Sequence, residues 1–154
     1  MRDKNVKRLW NTNTKKFIEE FAVLQTVNSD GNIEHTYFER NPKTLELERL
    51  STCHIEEMNC SGLKDKYGKL IYEGDILELY VSSKKLYRYE VKYEIGSFML
   101  VSQDEIFDFP NVWNDYVYPL SQLYYEYQNE ENSIYECAII GNVYENPELL
   151  KEVE

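Results

Sequence analysis

The sequence predicts a mainly β protein with little helix, and three observations support this fold class. Aromatic residues make up 14% of the chain, and 14 residues are tyrosines, which favour the pleated, half-buried surface of a sheet. Short runs of alternating apolar and polar residues recur between clusters of turn-forming residues, as expected for strands joined by tight turns. Helix signals occur at only two places, both in the last third of the chain.

The N-terminal part of the chain predicts antiparallel hairpin strands. Its β-prone runs are separated by Asn-rich and Gly-containing turn sequences, which is the pattern of consecutive hairpins. The last run has leucines that alternate with glutamates, and this alternation is typical of a half-buried strand. The predicted strands are residues 6–10, 16–18, 21–27 and 33–38, followed by a strand that contains Leu45 and Leu47.

The middle of the chain predicts a meander of three short strands at residues 76–81, 87–93 and 98–101. Tight turns join these strands, and a small sheet of this kind does not leave both of its edges open. We therefore expect closure into a small SH3-like or barrel-like sheet, or coverage by another element.

Two short helices and one further strand are predicted after the meander. Pro119 precedes a candidate helix at residues 120–127, where apolar side chains recur at the spacing of a core-facing stripe. Residues 134–140 form a predicted buried strand. Asn146-Pro147-Glu148 is a helix-start signature, with a capping residue, a proline in the first turn and an acid near the positive end of the helix dipole.

Length and charge bound the organisation of the chain and its partners. A chain of 154 residues without a visible linker or repeat predicts a single domain over residues 1–154, with lobes 1–57 and 58–154 as the alternative. The net charge of −11 is concentrated in residues 102–154, where Lys151 stands against twelve acidic side chains. Because such a surface repels nucleic acid and anionic membranes, we expect neither as a direct partner.

The compartment and the chemistry are bounded by what the sequence lacks. No apolar run is long enough to span a bilayer, and the charged N-terminus is not a secretory signal, which predicts the cytoplasm of the host bacterial cell. His54 lies beside Cys53 but six residues before Cys60, a poor spacing for zinc. With His35 elsewhere, we predict no catalytic residue, no metal ligand and no cofactor; a nucleophilic Cys–His pair is the alternative.

Three blocks of the chain carry the pattern of a known family. The central block, residues 58–76, contains Gly-Leu-Lys-Asp-Lys-Tyr-Gly-Lys and ends in Ile-Tyr-Glu-Gly-Asp-Ile. The C-terminal block, residues 140–150, reads Ile-Gly-Asn-Val-Tyr-Glu-Asn-Pro-Glu-Leu-Leu, and residues 6–10 with Lys16 and Phe17 form the third. In these blocks the chain resembles the YopX-like phage and prophage proteins.

The resemblance implies a compact, mostly β protein that is encoded in temperate phages and prophages and is prone to homo-oligomerise. It implies no reaction, and residues 19–57 and 102–133 lie outside it. Within the blocks we predict structural roles, with glycines in tight turns and aspartates bonded to turn amides. These motif residues are Gly62, Leu63, Lys64, Asp65, Gly68, Ile71, Tyr72, Glu73, Gly74, Asp75, Ile76, Gly141, Asn142, Glu145, Asn146 and Pro147.

The sequence favours an accessory protein that acts through protein–protein contacts, as a homo-oligomer or with a host or phage protein. Tyr and Trp dominate the energetic centres of interfaces, so a candidate interaction surface is Trp113, Tyr116, Tyr118, Tyr124 and Tyr125; packing in the core is the alternative for these residues. Two other functions stay open. One is an acidic decoy that mimics nucleic acid, and the other is a metal-dependent enzyme that uses scattered carboxylates such as Asp65, Glu73 and Asp75.

Overall fold

The computed structural model describes residues 7–81, 84–94, 96–102, 117–128 and 132–150. It is mainly β with one α-helix, as the composition predicts, and the fold class is confirmed. The chain divides into two compact units, a first unit of residues 8–57 and a second unit that begins at Met58. In the part of the chain described, no helix combines the length and apolarity that crossing a membrane requires.

The first unit opens with the predicted hairpin. Strand β1 (Lys7–Asn11) pairs antiparallel with the short strand β2 (Lys16–Phe17), and Trp10 lies opposite Phe17. The side chain of Asn11 accepts hydrogen bonds from the amides of Asn13 and Thr14, which explains why an Asn/Thr cluster forms this turn. The prediction of a hairpin around an Asn-rich turn is confirmed.

A three-stranded antiparallel sheet completes the first unit, in the order β3-β4-β5. Strands β3 (Phe21–Val27) and β4 (Ile33–Arg40) pair along their length, from Phe21 opposite Glu39 to Val27 opposite Ile33. Tyr37 on β4 is buried with Leu9 and Ile18, and these three side chains form the small core of this unit. Both strands lie where the sequence predicts them.

The last strand of this sheet corrects one prediction. Strand β5 covers only Leu47–Arg49, and its three residues are exposed. Leu45 precedes the strand with a φ of 63° and is 66% exposed. The predicted half-buried strand through Leu45 and Leu47 is therefore wrong in extent and in burial, because a turn between Asn41 and Glu46 takes up the first leucine.

The second unit is built on a five-stranded antiparallel sheet that curls into a half-barrel, in the order β11-β10-β9-β8-β12. Its centre is the predicted meander, and the barrel-like form of the sheet is confirmed. Strands β6 and β7, which lie mostly within the central block, pair with each other. The strands are β6 (Ile55–Lys64, from Met58 in this unit), β7 (Leu70–Tyr72), β8 (Asp75–Val81), β9 (Lys84–Glu94), β10 (Ser97–Val101), β11 (Val117–Pro119) and β12 (Cys137–Asn142).

One α-helix packs against the core residues of this sheet. Helix α1 (Leu120–Tyr127) begins after Pro119, as predicted, and buries Leu120 and Leu123. Tyr124 and Tyr127 from the same stripe are half-buried against the core. The fully buried core of this unit includes Leu77, Leu79, Tyr89, Val91, Leu100, Tyr118, Leu120, Leu123, Ile134 and Cys137.

The C-terminal part differs from prediction in two details. The predicted strand at 134–140 begins three residues later, as β12 (Cys137–Asn142), because Ile134 instead forms an isolated bridge with Gln128. The helix-start signature at Asn146-Pro147-Glu148 leads into a 3-10 helix, Pro147–Leu150. The signal for a helical turn was correct, and the described turn is of the tighter type.

Candidate functional site

The central and C-terminal blocks meet at one place in the second unit, which we call the motif joint and define as residues 62–76 and 137–146. The amide of Lys66 donates to the carbonyl of Cys137 at 2.9 Å, and the amide of Val143 donates to the carbonyl of Gly74 at 2.9 Å. The two blocks that carry the family pattern are thus bonded to each other through their main chains.

Asp65 is the centre of the motif joint and is fully buried. Its Oδ1 accepts the amides of Tyr67 and Lys69, both at 2.9 Å, and so fixes the turn that follows it. Its Oδ2 accepts the amide of Ile139 on β12 at 3.0 Å. One carboxylate therefore closes a local turn and also fastens a strand 74 residues further along the chain.

The other acidic residues of the central block make similar contacts. Oδ2 of Asp75 accepts the amide of Tyr72 at 2.8 Å. Oε2 of Glu73 accepts the amide and the side-chain Nδ2 of Asn59, at 3.2 and 3.3 Å. Each of the three carboxylates at Asp65, Glu73 and Asp75 accepts at least one main-chain amide, which is the bonding that shapes turns.

The C-terminal block repeats this use of polar side chains. Oδ1 of Asn142 accepts the amides of Tyr144 and Glu145, at 3.0 and 2.9 Å, and its Nδ2 donates to Oε1 of Glu145. The amide of Asn146 donates to the carbonyl of Asn142 at 2.8 Å. These bonds turn the chain from β12 into the 3-10 helix at Pro147–Leu150.

Two glycines of the motif joint are required for different reasons. Gly74 has a φ of +86°, and the predicted turn role agrees with this conformation. Gly141 lies inside β12 and has no positive φ, so its predicted place in a tight turn is wrong. A Cβ at position 141 would lie 2.6 Å from Oδ1 of Asn146 and 2.9 Å from Cδ1 of Leu149, so Gly141 permits the close approach of the C-terminal turn.

Gly141→Ala is therefore expected to destabilise the protein by about 2 kcal/mol, because Asn146 and Leu149 must move away from the strand. Urea unfolding measures the change. Gly31→Ala is the contrasting variant, since a Cβ at Gly31 meets no atom within 4 Å and only the φ of +82° is unfavourable there. Because the turn must move, the NMR amide signal of Asn146 should shift in Gly141→Ala. An unchanged signal at Asn146 would contradict the steric explanation.

Cys137 is the buried thiol of the motif joint. Burial, together with the charge of Asp65 and against the opposing effect of Lys66, raises the pKa of this thiol from 9.0 to about 12. The pKa of this thiol is therefore higher in the folded protein than in the unfolded chain. The contribution of the neutral thiol to folding stability is fully present below about pH 9. That contribution is lost as the pH rises toward 12.

We expect Cys137 to resist alkylation at pH 8 while the exposed Cys53 reacts. The raised pKa lowers the thiolate fraction of Cys137 about a thousandfold, and burial adds to the protection. Mass spectrometry after timed iodoacetamide treatment measures both rates. Alkylation of Cys137 at the rate of Cys53 in folded protein would contradict the buried environment, and urea should abolish the difference.

The side chains considered for chemistry do not assemble into a metal site in the described ranges, where no group of three or more His, Cys, Asp and Glu residues is placed to hold an ion. Cys53 and His54 lie next to each other in an exposed 3-10 helix, Thr52–His54. His35 lies on β4 beside the ring of Tyr37. Cys60 is half-buried on β6.

The predicted aromatic surface divides into three groups. Trp113 and Tyr116 lie outside the described residues. Tyr118 is 5% exposed, and its hydroxyl donates a hydrogen bond to Glu126 at 2.7 Å. Tyr118 therefore belongs to the core, and its predicted surface position is wrong. Tyr124 is half-buried, and Tyr125 is 70% exposed.

Other tyrosines, outside the predicted interaction surface, form two groups of rings. Nζ of Lys66 lies 5.0 Å from the ring centroid of Tyr67 and 4.3 Å from that of Tyr80. The rings of Tyr127 and Tyr135 are 5.8 Å apart in an edge arrangement. The amide of Tyr80 donates to the carbonyl of Glu136, next to Tyr135. We call Tyr67, Tyr80, Tyr127 and Tyr135 together the tyrosine patch, which consists of two groups of rings whose segments this main-chain bond joins.

The tyrosine patch has the character of a contact surface. Tyr67 is 72% exposed and Tyr135 is 46% exposed. Burial and the charges of Glu126, Tyr135 and Glu136 raise the pKa of Tyr127, so its hydroxyl stays protonated to a higher pH than that of an ordinary tyrosine. No local pattern in the sequence identifies the patch, because its four members come from distant segments.

Fold and site together define a class: a mainly β protein whose half-barrel sheet is fastened by turn-forming polar residues of two sequence blocks. The model of the YopX protein family matches residues 8–151, and the chain belongs to this family. The resemblance seen in the three blocks is thereby confirmed.

Two solved structures are similar to this chain. The protein yopX from Bacillus subtilis has a TM-score of 0.57 at 21% identity, over 94% of this chain and 97% of that one. The protein EF1440 from Enterococcus faecalis has a TM-score of 0.53 at 25% identity, over 96% of this chain and 98% of that one. The comparison with curated proteins gives no match.

Proposed function

We propose that this chain is an accessory protein of a phage or prophage that acts in the cytoplasm through protein–protein contacts and assembles with copies of itself. One observation carries the proposal. The polar residues of the motif joint bond to main-chain amides, as Asp65 and Asp75 do, while exposed tyrosines lie in the joint at Tyr67 and beside it at Tyr135. Exposed tyrosines suit recognition, because they offer a large rigid ring and a hydroxyl.

The tyrosine patch is the surface that we propose for a protein partner. Tyr67 and Tyr135 supply its exposed rings, and Lys66 lies over two of its members. The patch has both a cation and hydroxyl groups, so a partner with an apolar centre and acidic or carbonyl acceptors around it is the best match.

Affinity capture from cells that carry the prophage tests this surface. The double variant Tyr67→Ala/Tyr135→Ala should lose at least about tenfold of a captured partner, as expected for two interface anchors. Tyr93→Ala is the matched control, because Tyr93 is 47% exposed on β9 and contacts Phe98 instead of the patch. Equal capture by both variants, or no partner for the native protein, would contradict the proposal.

The second candidate is an acidic decoy of a protein that binds nucleic acid. The observation that favours it is the concentration of charge in residues 102–154, where twelve acidic side chains stand against Lys151. Binding by such a decoy would compete with DNA and weaken steeply with salt. A captured partner that is released by 0.5 M salt and by duplex DNA would support the decoy, and salt-insensitive capture would favour the tyrosine patch.

A further inference from the structure

The outer edge of β3 lacks the features that normally protect an exposed strand. The strand reads Phe-Ala-Val-Leu-Gln-Thr-Val over seven residues, without a charge, a proline or a glycine. Among the strands that the structure describes, it stands at the edge of its sheet and pairs with β4 alone. Edge strands of soluble proteins usually carry Lys, Pro or a bulge, because an open edge pairs with other strands. An uncharged edge of this length is therefore suited to strand addition.

The register shows which residues face this edge. The amide of Asn28 donates to the carbonyl of Asn32, so residues 28 and 32 are a hydrogen-bonded pair. Because hydrogen-bonded and non-bonded pairs alternate along an antiparallel ladder, the main-chain groups of Ala22, Leu24 and Thr26 point toward β4. Bonds on the other side of β4, from Leu50 to Tyr37 and from Asn41 to Glu46, fit the same alternation. Amide and carbonyl groups of Phe21, Val23, Gln25 and Val27 consequently point outward, away from β4.

Apolar side chains flank this open edge on both faces of the hairpin. Leu24 is 53% exposed on one face, while Val23 and Val27 are 44% and 62% exposed on the other. Ile33, which pairs with Val27, is 57% exposed. The side chains beside the open main-chain groups could therefore bury apolar area when a partner strand adds to the sheet.

We propose that a second copy of this chain adds to this edge, β3 against β3, antiparallel about a two-fold axis through Leu24. This register uses the whole strand, placing Phe21 opposite Val27 and Val23 opposite Gln25 of the second copy. It forms about eight main-chain hydrogen bonds from the outward groups. The inference rests on the self-association in the proposed function and specifies its interface.

Charge makes this edge a place where two copies of the chain can meet. The chain carries a net charge of −11, so most surfaces of two copies repel each other. Residues 8–57 carry six basic and nine acidic side chains, and most of the net charge lies elsewhere. Pairing β3 with itself places no like charges opposite each other. An odd-length, uncharged strand with Leu24 at its centre is complementary to itself.

Light scattering and sedimentation of the purified protein test the interface with two matched lysine variants. Leu24→Lys puts two cations opposite each other on the axis and should weaken self-association at least about tenfold. Leu47→Lys is the control, because Leu47 is also 53% exposed, on the same face but at the opposite edge of the sheet. Leu47→Lys should leave the molar mass of the native assembly unchanged.

A native protein that is monomeric at all concentrations would overturn both this interface and the self-association proposed above. An oligomer that survives Leu24→Lys would overturn the β3 interface alone. A thiol experiment reads out the register directly: Leu24→Cys in a Cys53→Ser background should form a disulfide-linked dimer. On the axis the two Cα atoms would be about 4.5 Å apart, within the disulfide range, whereas Leu47→Cys should not cross-link.

Discussion

Asp65→Ala is expected to lower the free energy of unfolding of this protein by about 4 kcal/mol. The substitution removes three charge-assisted hydrogen bonds to the amides of Tyr67, Lys69 and Ile139, each of a kind that contributes about 1.5–3 kcal/mol. Part of that sum is offset, because the buried carboxylate no longer has to be desolvated. The fully buried amide environment around Asp65 leaves little access for water to replace the lost acceptor.

Urea unfolding followed by circular dichroism measures this change, with two comparison variants. Asp65→Asn keeps an oxygen for the turn but cannot accept at both positions, so we expect about half of the loss. Asp30→Ala removes an exposed aspartate in the turn after β3 and should change stability by less than about 0.5 kcal/mol. An Asp65→Ala protein as stable as Asp30→Ala would contradict the role assigned to the carboxylate.

Arg88→Met should produce the second large effect, a loss of about 3 kcal/mol. Nε of Arg88 lies 3.3 Å from Oε2 of Glu78, whose side chain is only 10% exposed. Nη1 of the same guanidinium donates to the carbonyl of Leu149 at 3.1 Å and so connects the sheet with the C-terminal 3-10 helix. Removing the cation leaves a nearly buried carboxylate without this partner, which is more costly than losing the pair as a whole.

The double variant Glu78→Gln/Arg88→Met distinguishes the pair from simple packing. If the uncompensated carboxylate causes the loss, the double variant should be more stable than Arg88→Met, with a coupling of about 1–2 kcal/mol. Lys92→Met is the control, because its pairing with Glu90 is 46% exposed on the lysine side and exposed pairs contribute little. Additive losses at Glu78 and Arg88 would contradict the electrostatic interpretation.

Local patterns in the sequence predict most of the strands. The alternation at 76–81, 87–93 and 98–101 gave the meander, and the stripe that begins after Pro119 gave helix α1, since both depend on neighbours close in the chain. Leu45 shows where alternation misleads, because a turn with a φ of 63° interrupts the pattern. Tyr118 shows the limit of composition, since tyrosine suits both a core and a surface.

Long-range contacts at the motif joint could not be predicted from the sequence. The turn that Asp65 forms with Tyr67 and Lys69 is local, and an aspartate before Gly68 indicates it. Its bond to Ile139 depends on how β12 lies against β8. Gly141 likewise looks like a turn glycine, yet the close approach of Asn146 and Leu149 explains it. The tyrosine patch was missed for the same reason, because its members come from distant segments.

Amide hydrogen exchange measured by NMR tests most directly whether the motif joint shapes the scaffold. The amides of Tyr67, Lys69 and Ile139 should exchange slowly in the native protein and together lose protection in Asp65→Ala, while the core of the first unit around Tyr37 remains protected. Full protection at all three amides in Asp65→Ala would contradict the account, because the carboxylate would then be free for another purpose.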